Sequence, residues 1–185
     1  MQTRPEIVII AEVKTESPFG FKSDLSWDQL FRLAETVGDM ISVHTDKRWG
    51  GSFDLIDKAK RLTDKPILAK GIHRTDGEIE RALECGANFV LVVGRLPGVH
   101  REKCMVEPQS LAELKLIPKA VKTVWNSRNL SDGSLKKETF KQAREIFNGW
   151  LCQASNIKTV RDIDGGADAV LVGANLATFA ESLIW

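Results

Sequence analysis

Cysteine is scarce in this chain and is never spaced as a pair. Cys85, Cys104 and Cys152 are the only three among 185 residues. An odd number with no C-x-x-C motif argues against a disulfide framework or a zinc site and suits a reducing compartment. An excess of charge of one sign is also missing: Lys and Arg number 26 against 25 Asp and Glu, a net charge of +1. With these charges dispersed, no basic face is offered to nucleic acid and no charged block to membrane lipid. Long hydrophobic runs are lacking too. The longest apolar stretches, such as 167–174, fall far short of the roughly 20 residues that a spanning helix requires. Arg4 and Glu6 stand before a short apolar run, without the layout of a signal peptide. The expectation is a cytoplasmic chain with neither a nucleic-acid nor a membrane partner.

What the chain does have is enough apolar material for one sizeable core. At 43% hydrophobic and 28% charged residues it sits near the average for globular proteins. Its length suits one domain, expected to span 1–185, since domains hold about 100–200 residues. No internal repeat, low-complexity segment or domain boundary stands out.

Eight short runs rich in Val and Ile read as strands: 7–14, 40–46, 66–72, 87–94, 104–107, 120–126, 150–155 and 167–173. Most are near-continuously apolar, as buried parallel strands should be. Amphipathic stretches lie between most of them. Ser26 caps a helix running to about Val37, with Gly38 ending it and Trp27, Leu30, Phe31 and Ala34 on one face. Ser52 or Asp54 opens a second, with Leu55, Ile56, Ala59 and Leu62 as its apolar stripe. Thr75 with Glu78 forms a capping box for a third, and Gly86 follows its end. Ser110 with Glu113 repeats that signature after the fifth run, and helices are expected over 138–147, 159–164 and 176–184.

Strands alternating with helices imply βαβ units and a parallel sheet. Eight of them in one domain favour an α/β chain closed into a (βα)8 TIM barrel. Such barrels typically run to about 250 residues, so connections here must be short. The segment 94–103, which contains Pro97 and Gly98, is too short and broken for a normal fourth helix and is expected to be a loop.

Active-site groups of such a barrel stand at the C-terminal ends of its strands. Alternation places Glu12 and Lys14 on one face of the first strand and Val13 on the other. The third strand ends in Lys70, the fifth in Glu107, and the sixth in Asn126 with Arg128 two residues on. An isolated charge at a strand end is usually a solvated rim residue, but six polar groups from four strand ends converge on one cavity. Two lysines and two glutamates in a partly dry mouth shift one another's pKa values, which is the preparation that acid–base chemistry requires. The competing reading is a structural ion-pair network.

At these residues the sequence resembles the indole-3-glycerol phosphate synthase family. The matching segments are Ile9-Ile10-Ala11-Glu12-Val13-Lys14 followed by Ser17-Pro18, and Ile41-Ser42-Val43-His44-Thr45-Asp46 continued by Trp49-Gly50-Gly51-Ser52. Further matches are Pro66-Ile67-Leu68-Ala69-Lys70, Val106-Glu107, Asn126-Ser127-Arg128-Asn129-Leu130 and the run from Gly166 to Gly173. The resemblance implies a lyase that closes an indole ring with loss of carbon dioxide and water. It implies that Lys70 is the general acid, that Glu107 and Glu12 accept protons and stabilise the cationic intermediate, and that Lys14 holds the substrate carboxylate and is a candidate acid for the dehydration. Asn126, Arg128 and Ser17 are implied as substrate-positioning groups, and Trp49 as the aromatic beside the anthranilate ring, with plain lid packing as its other reading. A phosphate site is implied at Ser155, Asn156, Gly173 and Ala174. No metal or organic cofactor is implied.

Several positions depart from the family pattern. The extra helix that usually precedes the first strand and the fourth helix are both expected to be missing. Asn156 stands where the family has Gly, Ala174 where Ser or Glu is usual, and Ile72 where an aromatic is common. The expected partner is therefore a small phosphorylated anthranilate-sugar substrate, with self-association or contact with other tryptophan-pathway enzymes as further expectations. Alternatives are a non-catalytic barrel that binds a phosphorylated ligand, or a different phosphosugar chemistry.

Overall fold

The computed structural model describes residues 7–183. Arg4, Glu6 and residue 184 of the last expected helix lie outside them. Eight parallel strands close into a barrel in chain order: β1 (Val8–Val13), β2 (Met40–His44), β3 (Ile67–Lys70), β4 (Phe89–Val93), β5 (Cys104–Glu107), β6 (Lys122–Asn126), β7 (Leu151–Ala154) and β8 (Ala169–Val172). Registers such as Ile10↔Met40 and Ile10↔Leu171 bring β1 between β2 and β8 and complete the ring. The chain is a (βα)8 TIM barrel.

Period-2 alternation sorts each strand into an outer and an inner face. Outward Ile9, Ala11 and Val13 pack with Leu30, Phe31 and Ala34 of α1 (Trp27–Val37) in one apolar cluster. Inward Ile10, Leu68, Leu91, Met105, Val124, Cys152 and Leu171 fill the barrel's own core. Each fully buried aliphatic side chain of these layers contributes about 1.5–3 kcal/mol relative to exposure.

The wall is uneven. On one side stand α1, α2 (Phe53–Lys60) and α3 (Asp76–Glu84). Capping boxes fix the starts of α1 (Ser26 with Gln29) and α3 (Thr75 with Glu78). Beyond β4 there is only a 3-10 turn at Arg101–Lys103, so the absence of a fourth helix is observed. Then come the one-turn α4 (Leu111–Leu114), α5 (Phe140–Ile146), a 3-10 turn at Val160–Asp162, and α6 (Leu176–Leu183).

Three expectations are corrected. The helix over 159–164 shrinks to three residues: Thr159 and Asp162 form a full capping box at its start, but Ile163 is already extended and ends it after one turn. Leu62 is 54% exposed, since α2 ends at Lys60 before its stripe reaches that residue. Ser110 accepts the Glu113 N–H, but Glu113 reaches back to Gln109 N–H, leaving half of a capping box. Among the described residues no helix is long and apolar enough to cross a membrane.

Candidate active site

The alternation that fills the core continues to the C-terminal rim, where apolar residues give way to polar ones. One step above Ile10 stands Glu12, above Leu68 stands Lys70, above Met105 stands Glu107 and above Val124 stands Asn126. Glu12, Glu107 and Asn126 are buried; Lys70 is nearly so. Its ammonium lies 2.6 Å from Glu12 Oε1. On the far side Asn126 Nδ2 donates to Glu107 Oε1 at 2.9 Å. Asn126 Oδ1 accepts from Ser155 Oγ at 2.6 Å and from the Arg128 N–H at 3.0 Å, which fixes the orientation of its amide.

The strand-end residues also open onto two cavities. One, of about 310 Å³, is walled by Trp49, Ile72, Leu91, Val93 and Leu130, with His44, Lys70, Glu107 and Asn126 as its polar members. The other, of about 470 Å³, is lined by Glu12, Lys14, Lys70 and Arg128 together with the loops after β7 and β8, among them Ser155, Asn156, Gly173 and Ala174. Lys70 is the residue common to both.

Charge and burial push these groups apart. Burial raises the Glu12 carboxyl, yet Lys70 and His44 outweigh it and hold Glu12 well below the usual carboxylate range. For Glu107 burial prevails over Lys70 and the Asn126 hydrogen bond, so its pKa is raised. Lys70 is desolvated, but Glu12 and Glu107 more than compensate and keep it protonated. Burial, helped by Lys70 and Arg128, lowers Lys14 despite Glu12. The result is one firm anion, one proton-hungry carboxylate, one firm cation and one lysine that yields its proton more readily.

Other expected residues take mixed positions. Trp49 sits on the apolar cavity, its ring parallel to His44 with centroids 5.9 Å apart and edge-on to Phe19 at 6.1 Å. Phe19 in turn lies over Gly133, where a Cβ would come within 2.4 Å of its ring. Ser17 lines neither cavity. Its hydroxyl instead accepts the N–H groups of Phe19 and Phe21, shaping the β1–α1 loop. Ser155 and Asn156 both adopt positive φ, and the Ser155 hydroxyl is engaged by Asn126. A Cβ on Gly173 would fall 1.7 Å from Glu12 Oε2, so only glycine leaves Glu12 its place.

A family model described as indole-3-glycerol phosphate synthase matches residues 1–182. The chain belongs to the indole-3-glycerol phosphate synthase family. The indole-3-glycerol phosphate synthase of Pyrococcus abyssi is 30% identical over 195 residues, covering 91% of this chain and 84% of that protein. That of Sulfurisphaera tokodaii is 28% identical over 191 residues, covering 91% and 77%. A crystal structure of 3-hexulose-6-phosphate synthase matches with a TM-score of 0.66 at 16% identity, over 96% of this chain and 98% of that one. At that identity the likeness speaks for the barrel alone.

Within this member of the indole-3-glycerol phosphate synthase family, sequence reasoning overlooked His44. It is buried at the end of β2, with Nε2 2.9 Å from Glu12 Oε1. The signal was available: Met40, Ser42 and His44 share the inward face by the same alternation that relates Glu12 to Lys14. Among the described residues no cluster of His, Cys, Asp and Glu is arranged to hold a metal ion.

Proposed function

We propose that this chain converts 1-(2-carboxyphenylamino)-1-deoxyribulose 5-phosphate into indole-3-glycerol phosphate, carbon dioxide and water, a carboxy-lyase step of tryptophan biosynthesis. The observation that carries the reading is the position of Lys70, a protonated lysine shared by an apolar cavity and a cationic one. The substrate has the same division: an aromatic ring at one end, a phosphate at the other, and a ketone between them.

In this reading the anthranilate ring occupies the apolar cavity against Trp49, Ile72 and Leu91. The phosphate lies in the cationic cavity near Lys14 and Arg128, met by backbone N–H groups of the β7 and β8 loops, with Ser155, Asn156, Gly173 and Ala174 around it. The ring carbon bearing the carboxylate attacks the ketone carbon as Lys70 gives its proton to the ketone oxygen. The carboxylate then leaves as carbon dioxide and its electrons restore the ring's π system. Loss of the new hydroxyl as water requires an acid, for which the eased proton of Lys14 is suited. Glu107, with raised proton affinity, takes the proton released as the indole forms, and the Glu12 anion stabilises the iminium cation that precedes it. Asn126 and Arg128 orient the substrate, and Ser17 shapes the loop above it. Every leaving group belongs to the substrate, so positioning and proton transfer suffice. We propose that residues 1–185 act as one barrel domain, in the cytoplasm.

The test is a fluorescence assay of the purified chain with this substrate, following the indole product. Saturable turnover is the expected result. Binding of the substrate without any indole would identify a phosphate-ligand-binding barrel instead, and absence of both would direct attention to other phosphosugars.

A further inference from the structure

His44 has no role in the scheme above, yet it touches the centre of it. Its ring is 4% exposed and lies parallel to Trp49, which fixes the ring plane. Nε2 lies 2.9 Å from Glu12 Oε1, the same oxygen that Lys70 Nζ approaches at 2.6 Å. Neither ring nitrogen nor Glu12 Oε1 has a well-angled hydrogen-bond partner among the described residues, so the 2.9 Å approach of Nε2 to Oε1 is a contact at ion-pair distance with nothing else competing for the ring. The charged groups facing it are Glu12 from β1, Lys14 just beyond that strand, Lys70 from β3, and Asp46 from the loop after β2.

Lys70 lines both cavities and its ammonium has three protons, so it can stay near Glu12 while giving one to a substrate; having given it, Lys70 is a neutral amine and no longer offsets the Glu12 charge. Glu12 Oε1 then depends on its other close contact, His44. We propose that His44 is a positioning residue that holds Glu12 anionic and in place while Lys70 is engaged with the substrate. This rests on the reading that Lys70 is the acid. The neutral ring with its proton on Nε2 is the form that performs this, and burial, opposed by Glu12 and helped by Lys70, lowers the pKa of His44 in that direction.

Two measurements test it. The first needs no substrate: nitrogen NMR of the histidine rings, titrated with pH in the wild type and in Glu12→Gln, with His44→Leu used for assignment. The expected result is a proton on Nε2 and a midpoint that falls further in Glu12→Gln, because the carboxylate favours the charged ring. A proton on Nδ1, or a midpoint indifferent to Glu12, overturns the contact. The second compares turnover. His44→Leu is expected to lower kcat roughly ten- to a hundredfold with little change in KM and to move the acid limb of the kcat profile to higher pH, since Glu12 loses a group that lowers it. His44→Gln, which restores an N–H toward Glu12, is expected to recover most of both. Equal losses in the two variants with an unmoved acid limb would reduce His44 to packing. A wild type that makes no indole would sink the functional reading and leave the NMR arm to decide the contact. An active wild type beside an indifferent His44→Leu would sink only the present proposal.

Discussion

The apolar cavity draws on β2 to β6 and on Trp49, while the cationic cavity draws on β1, β7, β8 and the loops after β6, β7 and β8, with Lys70 of β3 common to both. Helices α2 and α3 follow β2 and β3 on the first side, whereas α5 (one residue shorter than α2), a 3-10 turn and α6 follow β6, β7 and β8 on the second. Their chemistry differs as much as their support. One is walled by Trp49, Ile72, Leu91, Val93 and Leu130; the other is lined by Lys14 and by Arg128, whose guanidinium also donates to Gly133 O at 2.6 Å. A group that transfers protons belongs at the border, where one neighbour keeps it dry and the other keeps it charged. Lys70 occupies that border. On the proposed reading, binding and proton transfer are separable, which substitutions can test.

The largest effect is expected at the border itself. Lys70→Ala should reduce turnover by about 10²–10⁴-fold, the range for loss of a general acid. Its circular dichroism spectrum should remain that of the wild type, with His44 and Lys14 still facing Glu12. Loss of the folded signal instead would make Lys70 a structural residue. Gly173→Ala should follow, with kcat down by about a hundredfold, because the added methyl occupies the position of Glu12 Oε2. Unchanged kcat in that variant would mean that the Glu12 position is not needed.

Next come the two cavities taken separately. Arg128→Ala should raise KM by roughly ten- to a hundredfold, as expected for a charged contact of about 1.5–3 kcal/mol. It should also abolish inhibition by inorganic phosphate while sparing inhibition by anthranilate. Trp49→Ala should do the reverse, sparing phosphate and weakening anthranilate by about ten-fold. If each variant weakened both inhibitors alike, the two cavities would be one.

The smallest effect concerns stability. Glu107 has a raised pKa in the fold, so ionising it costs stability once pH rises above its unfolded value, and the cost levels off above the folded one. Glu107→Gln should therefore raise Tm by roughly 2–4 °C at neutral pH while losing activity. The gain should vanish as pH falls below the ordinary carboxylate range. A gain that persists in acid would locate its origin in packing, not in charge.

Much of this was legible in the sequence for a simple reason: a parallel barrel writes its strands as near-continuous apolar runs and its site as the first polar residues that interrupt them. Ile10 then Glu12, and Leu68 then Lys70, can be read directly. The same rule applied to Met40, Ser42 and His44 would have disclosed the histidine. Less could be read where tertiary contact decides. Ser155 donates to Asn126, 29 residues away, and nothing local foretells that its hydroxyl is engaged there. Thr159 and Asp162 form the capping box their residue types announce, but a start signal does not set a helix's length, and the turn stops where Ile163 becomes extended. The Ser17 hydroxyl turned inward to its own loop because two N–H groups of that loop lie within reach.

The most direct test of the account follows the substrate carboxylate. With that carbon isotopically labelled, the wild type should release one labelled carbon dioxide for each indole formed, and Lys70→Ala should bind the substrate yet release it about 10²–10⁴-fold more slowly. Label retained in the product, or release at the wild-type rate without Lys70, would contradict ring closure driven from the border of the two cavities.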